Sequence, residues 1–351
     1  MKIAFFSTNT SFCEHLLEEL SRSHTLKLWE QSPNVQLGWA NTLKLLDWCD
    51  VAYLEWMQLP NIEISRIQAL NKPLIVFCHG RDVMYHTSMD WRSIEGLIIQ
   101  DAQYPRLLRL RAEWTKNTPH LPLPKLPKKT LIKSLGVDLQ TFLPPRPSQE
   151  LSSYHIVVHA SWIRPVKRIY AAIQQFYDLI QLDGDKPWKM TLIGRWKGGY
   201  EHPTLAPDER WAYLTACNEL IEQLDFPPGR IYLKPENFPR EIWAQFAKTV
   251  DVYWCTSAWE SFGVSMAEVC ACGGYPLVND YLGADKVYPE KYRCKTPYEM
   301  IQKTIEWGNL GSEEKVKERH AIRKHMEQYD AKQAAKEIRV FIEDVVENYK
   351  R

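Results

Sequence analysis

Apolar residues come in short runs separated by polar stretches that carry glycine and proline. "KIAFF" (Lys2–Phe6) ends in Ser-Thr-Asn, and "DVAYLEW" (Asp50–Trp56), "PLIVFCHG" (Pro73–Gly80) and "GLIIQD" (Gly96–Asp101) follow. Runs of this length, bounded by turn formers, predict buried strands. A helical pattern over Phe12–Arg22 follows the first. Strands alternating with helices predict parallel βαβ units. "FLPPRPSQELSS" (Phe142–Ser153) breaks the rhythm and reads as a linker. The rhythm restarts with "HIVVHAS" (His155–Ser161), an amphipathic stretch over Lys167–Leu182, "KMTLIG" (Lys189–Gly194), "RIYLKP" (Arg230–Pro235), "VDVYWCT" (Val250–Thr256) and "YPLVND" (Tyr275–Asp280). From Ser312 the chain is polar and helical, with Ile338, Phe341, Ile342 and Val345 at the i, i+3, i+4, i+7 spacing of one helix face. The pattern therefore predicts an α/β protein with two Rossmann-like αβα domains, residues 1–145 and 146–324. Residues 325–351 form a helix expected to cross back to the first domain. Ligands of open parallel sheets bind at the carboxyl ends of the strands, so a cleft between two such domains is the expected site.

Composition narrows the function. The 351 residues are 45% apolar and 25% charged, as in ordinary globular proteins, and the net charge of +1 supplies no global field for nucleic acid. The eight cysteines are scattered, several within apolar runs, which reads as buried thiols in a reducing cytosol. No signal-like segment opens the chain and no apolar run spans a membrane, so a cytoplasmic location is expected. Arg106–Lys133 holds eight basic residues against one acid, Glu113. It reads as a solvated face, or as peripheral contact with an anionic membrane surface.

Three segments carry candidate chemistry. In "WESFGVSMAE" (Trp259–Glu268) a carboxylate stands at each end of an apolar stretch. Glu268 falls in a helix of small and apolar residues, where a buried carboxylate needs hydrogen-bonding partners such as ribose hydroxyls. Gly263 at the helix start lets backbone amides approach a phosphate. The plain alternative is a capping acid and a solvated one. In "SWIRPVKR" (Ser161–Arg168), Arg164 and Lys167 follow a strand, where an anion would offset the unfavourable helix dipole; otherwise they are a solvated basic turn. In "VFCHGRDV" (Val76–Val83), His79 stands at a strand's carboxyl end, although a lone histidine is more often structural. Asp183 and Asp185 spell D-x-D, yet D-G-D between a helix and a strand is ordinary turn chemistry. Neither a dinucleotide-binding G-x-G-x-x-G after the first strand nor a P-loop is present.

Together these segments resemble retaining glycosyltransferases of the GT-B fold, family four. "CHGRDV", "LGVDLQTF" (Leu135–Phe142), "SWIRPVKR" and "SAWESFGVSMAEVCACGGYPLV" carry the likeness in family order. The resemblance implies transfer of a sugar from a nucleoside-diphosphate-sugar to a glycan, lipid-linked or small-molecule acceptor, with no metal or cofactor. It implies that Arg164 and Lys167 neutralise the leaving diphosphate, helped by amides of Phe262, Gly263 and Val264. By the same resemblance Glu260 meets the sugar, Glu268 holds the ribose, and His79 sits near the transferred sugar. The chain departs from many relatives in the loop after its first strand, where "STNTSF" (Ser7–Phe12) has no glycine. A non-catalytic protein of the same fold that binds a nucleotide-sugar or glycan is the rival reading. A phosphorylase-like enzyme would need a pyridoxal-phosphate lysine and a far longer chain.

Overall fold

The computed structural model describes residues 1–30, 32, 34–68, 70–144, 154–196, 207–234 and 238–349. The expected linker falls largely outside these residues. The chain divides into two compact units, Met1–Gly136 with Tyr329–Arg351, and Val137–Gln328.

Along the first unit run β1 (Lys2–Phe6), α1 (Glu14–Ser23), β2 (Thr25–Leu28), α2 (Val35–Trp48), β3 (Val51–Glu55), α3 (Asn61–Ser65), β4 (Leu74–Cys78), β5 (Ile94–Ile99), α4 (Tyr104–Asn117) and β6 (Lys129–Ile132). The described strands form one parallel sheet in the order β2-β1-β3-β4-β5-β6. β3 and β4 are buried along their whole length, which is why they read as unbroken apolar runs. The sheet order reverses between β1 and β3, so the loops leaving their carboxyl ends open a crevice there.

The second unit contains β7 (His155–Ala160), α5 (Ile169–Leu182), β8 (Lys189–Gly194), α6 (Pro207–Gln223), β9 (Ile231–Lys234), α7 (Arg240–Ala247), β10 (Val252–Cys255) and α8 (Val264–Ala271). It continues through β11 (Tyr275–Asn279), β12 (Arg293–Cys294), α9 (Pro297–Asn309) and α10 (Ser312–Met326). Its described strands lie parallel in the order β12-β11-β10-β7-β8-β9, which places the reversal between β7 and β10. Among the described residues no helix is long and apolar enough to cross a membrane.

The last helix, α11 (Ala331–Tyr349), belongs to the first unit. Its Ile338, Ile342 and Val345 pack with Ile3, Phe5, Val51 and Ile75 of the sheet. Gly96 on β5 permits this approach, since a Cβ there would lie 3.0 Å from Val345. The structure adds β2, β6 and β12, which the apolar pattern does not predict. β2 is a mostly exposed edge strand, and β12 has only two residues. The helix expected from Lys167 begins at Ile169, because Arg168 adopts a left-handed φ of 53°.

A buried ion pair closes the amino edge of the second sheet. Arg319 donates to Asp251 Oδ1 at 2.5 Å, and the His155 amide donates to Oδ2 at 3.0 Å. Burial pushes the Asp251 carboxyl up to about 6, against the lowering effect of Arg319. Burial pushes His155 down to about 4. Its ring bonds Thr191 Oγ1 at 2.9 Å and the Thr249 carbonyl at 3.1 Å. Arg319→Met should cost about 3 kcal/mol at pH 8 by stranding a buried carboxylate. A carboxyl whose pKa is raised by folding loses stabilising effect as pH rises through that value, so the loss should shrink at pH 5. Urea denaturation at both pH values checks this, and an equal cost at both would contradict it.

Candidate functional site

The reversal of the second sheet brings two of the expected site residues together. Lys167 closes a short turn (Pro165–Lys167) after β7, and Glu260 lies in the loop after β10. The Lys167 ammonium pairs with Glu260 Oε1, and both side chains are more than four-fifths buried. Ser257 donates its hydroxyl to the same oxygen at 2.8 Å. The two loops are stitched by backbone: Ala258 N–H donates to the Val166 carbonyl at 2.9 Å, and Thr256 Oγ1 to the Lys167 carbonyl at 2.9 Å. Asn279, at the end of β11, donates to the Ser257 carbonyl at 3.1 Å. Arg164, half-buried and extended, begins the same turn and accepts the Lys167 amide at 2.9 Å.

The helix that follows starts at Gly263, whose φ of 71° is a left-handed conformation open to glycine at little cost. No side chain caps this end, and the first amides of α8 have no partner within the helix. Phe262 is buried, with its carbonyl accepting from Tyr288 at 3.3 Å. Val264, the first residue of α8, is half-buried.

Glu268 lies one turn further along α8, buried, with Oε2 accepting from the Trp243 indole at 2.6 Å. Arg240 reaches Oε1 at 3.5 Å and Asp138 at 3.6 Å. Burial pushes the Glu268 carboxyl up to about 7; the Trp243 bond and Arg240 oppose this, and Asp138 adds to it. Asp138 belongs to the "LGVDLQTF" string, which Arg323 ties down through the Leu139 and Phe142 carbonyls at 3.1 and 2.6 Å. The sequence reading missed Trp243, Arg240 and Asp138 as partners of Glu268. Only the demand that a buried carboxylate be satisfied pointed toward them.

His79 is placed differently. It follows β4 in the first unit, and its side chain is enclosed. Nε2 lies 2.5 Å from Glu55 Oε1, and Gln100 Nε2 lies 3.1 Å from Nδ1. The imidazole has Trp56 on it at 4.2 Å and Phe77 at 4.0 Å between ring centroids. Cys13 donates its thiol to Glu55 at 2.8 Å. Asp82, also in "CHGRDV", accepts the backbone amides of Met57, His79 and Gly80 at 3.0, 3.2 and 2.6 Å. Glu55 and Gln100 were missed, although an acid inside the apolar run "DVAYLEW" was a visible signal.

The remaining candidates have internal roles. Asp183 Oδ2 accepts the Trp188 indole at 2.7 Å and pairs with Lys186 at 3.3 Å. In the basic stretch, Arg106 bonds Gln103, Arg109 pairs with Glu113, Arg111 bonds the Pro124 carbonyl, Lys129 pairs with Asp344 and Lys133 with Glu337. Lys116, Lys125 and Lys128 of the same stretch are exposed.

No protein-family model matches the chain, and no curated protein matches it in sequence. Solved structures match its fold over nearly the whole length. Sucrose-phosphate synthase from Thermosynechococcus elongatus is 12% identical with a TM-score of 0.67, covering 98% of this chain and 99% of its own. A UDP-forming trehalose-phosphate synthase from Burkholderia xenovorans is 10% identical with a TM-score of 0.70, over 98% and 99%. The E. coli trehalose-6-phosphate structure bound with UDP-2-fluoro glucose is 11% identical with a TM-score of 0.70, over 99% of each chain. At this identity the likeness is one of fold, and that fold is GT-B, built of two Rossmann-like domains.

Two outcomes follow from the carboxylates. Glu260→Gln removes the counter-charge of Lys167, so an added diphosphate anion should be held at Lys167 severalfold more tightly in the variant than in the wild type. Calorimetry with UDP, GDP and ADP tests this, and unchanged or weaker binding by all three would contradict it. Glu268 titrates near 7 when folded and near 4.5 when unfolded. Its contribution to stability therefore falls as pH rises from about 4.5 to 7, by on the order of 2–3 kcal/mol. Glu268→Gln should remove that part of the slope, so denaturant midpoints of variant and wild type should diverge between pH 5 and pH 8.

Proposed function

We propose that the chain is a retaining glycosyltransferase that moves a hexosyl group from a nucleoside-diphosphate-sugar to an acceptor hydroxyl without a metal ion. The observation that supports it most is the meeting of Lys167 and Glu260 at the reversal of the second sheet, beside the uncapped start of α8. A cation, a carboxylate that accepts from hydroxyls and a helix N-terminus are what a sugar diphosphate requires. The shared fold with sucrose-phosphate and trehalose-phosphate synthases, one of them solved with UDP-2-fluoro glucose, supports the same reading.

In this mechanism the diphosphate takes Lys167 from Glu260, and Arg164 joins it as the second cation. Glu260 then accepts from the hydroxyls of the sugar, whose geometry changes in the transition state. Glu268 accepts from the ribose, which does not change. The bond from the anomeric carbon to the diphosphate oxygen breaks with charge building on phosphate, where the two cations and the amides of Phe262, Gly263 and Val264 stabilise it. The acceptor oxygen attacks from the same face through an oxocarbenium-like state, and its proton leaves with the diphosphate. His79 is enclosed beside Glu55, with Nδ1 bonded to Gln100 and Trp56 and Phe77 against its ring, so it acts by shaping the first unit.

Release of nucleoside diphosphate from UDP-, GDP- and ADP-sugars, followed with and without EDTA, tests the reading. Turnover should survive EDTA. Arg164→Ala should lower kcat/KM by on the order of 10²–10³, or roughly 2–4 kcal/mol, with little change in the denaturation midpoint; Lys167→Ala should lower kcat/KM as far and also lower the midpoint, because it strands the Glu260 carboxylate. Binding of a nucleotide-sugar without any turnover would instead favour the non-catalytic rival, and rescue by manganese after EDTA would overturn the metal-free mechanism.

A further inference from the structure

A pocket lies wholly within the first unit, at the reversal of its sheet. Thr8 from the loop after β1, Trp29 directly after β2, Trp39 of α2, and Leu59 and Pro60 after β3 line a space of about 340 Å³. This is within the ordinary range for small-molecule sites, at the position where open α/β sheets bind ligands. It is built on fixed groups. Trp29 donates its indole N–H to Thr42 Oγ1 at 3.0 Å, and Thr42 donates to the Gly38 carbonyl at 2.8 Å. Gln58 donates to Thr8 Oγ1 at 2.8 Å, joining the loops after β3 and β1. The glycine-free "STNTSF" loop thus contributes a hydroxyl side chain to the wall.

The chemistry of the walls selects a ligand. Among the described residues, Glu63 is the one charged residue that lines the pocket, and no lysine or arginine does. Arg66, the cation paired with Glu63 at 3.1 Å, turns its other nitrogens onto the Ser88 carbonyl at 3.2 and 2.8 Å. A phosphate here would stand beside an acid with no cation among the described lining residues to offset its charge. Two tryptophans suit the C–H faces of a sugar ring, with Glu63 and Thr8 as hydroxyl partners. Val35 and Leu59 on the same walls are 73% and 62% exposed, an apolar rim with nothing yet to cover. We propose that this pocket takes a neutral glycoside carrying an apolar substituent, not a sugar phosphate. Given the glycosyltransferase reading on which this rests, that compound is the acceptor.

Saturation-transfer NMR and calorimetry on the full chain test it. The probes are octyl glucoside, octyl galactoside and octyl mannoside below their micelle-forming concentrations, beside glucose 6-phosphate. At least one octyl glycoside should bind saturably, and glucose 6-phosphate should not. Trp39→Ala should weaken that binding about tenfold. Val35→Asp, at an exposed first helix position where a carboxylate is favoured, should weaken it as well and serves if the tryptophan variant does not fold. Binding by no octyl glycoside, equal or tighter binding of glucose 6-phosphate, or no effect of either variant would overturn the proposal. Nucleoside-diphosphate binding by the same sample separates the two readings. If it persists while glycoside binding is absent, only the pocket assignment fails; if both are absent, the glycosyltransferase reading fails with it.

Discussion

Lys167 and Glu260 are 93 residues apart in the chain and meet because a parallel sheet sets the ends of β7 and β10 side by side. Neither charge could be held in so poorly solvated a place alone, since desolvation would move it back to water or neutralise it. Each is the condition for the other. Their loops are fixed by backbone bonds, so the pair persists at one spot on the sheet edge. A ligand with its own negative charge and its own hydroxyls can replace the pair without leaving either residue stranded. A sugar diphosphate carries both.

The same physics gives a closed result in the first unit. Glu55, His79, Gln100 and Cys13 also gather at carboxyl strand ends, but they face one another under aromatic cover, with Glu55 Oε2 and Gln100 Oε1 left buried without a hydrogen-bond partner among the described residues. That cluster organises the loops after β3 and β4 and leaves the neighbouring crevice to apolar and hydroxyl groups. Charge is therefore concentrated on one unit's sheet edge and nearly absent from the pocket on the other.

Glu268 stands between these cases. It is as buried as a core residue, yet one of its oxygens faces an arginine at the outer limit of a hydrogen bond. Its raised pKa records incomplete compensation by Trp243 and Arg240. A hydroxyl donor arriving at that carboxylate would supply what the protein leaves out. The Asp138–Arg240–Glu268 chain joins "LGVDLQTF" to the two-glutamate segment: Asp138 of the first pairs with the arginine that reaches Glu268 of the second.

Much of this was legible in the sequence. Runs such as "LIVFC" and "HIVVHA" are strands because both faces of a parallel sheet are covered, so burial writes itself into consecutive residues. The spacing of Glu260, Gly263 and Glu268 likewise marks a loop, a left-handed start and a buried turn of helix, all local features. Partnerships across the sheet were not legible. Strand order is decided by how twisted strands and their crossover helices pack, and no local pattern records it. That order joins Lys167 to Glu260, encloses His79 behind Glu55 and Gln100, and walls a pocket with Trp29, Trp39 and Leu59. The exposed edge strand β2, which brings Trp29 to that pocket, left no apolar signature because one sheet neighbour and a half-solvated face demand none.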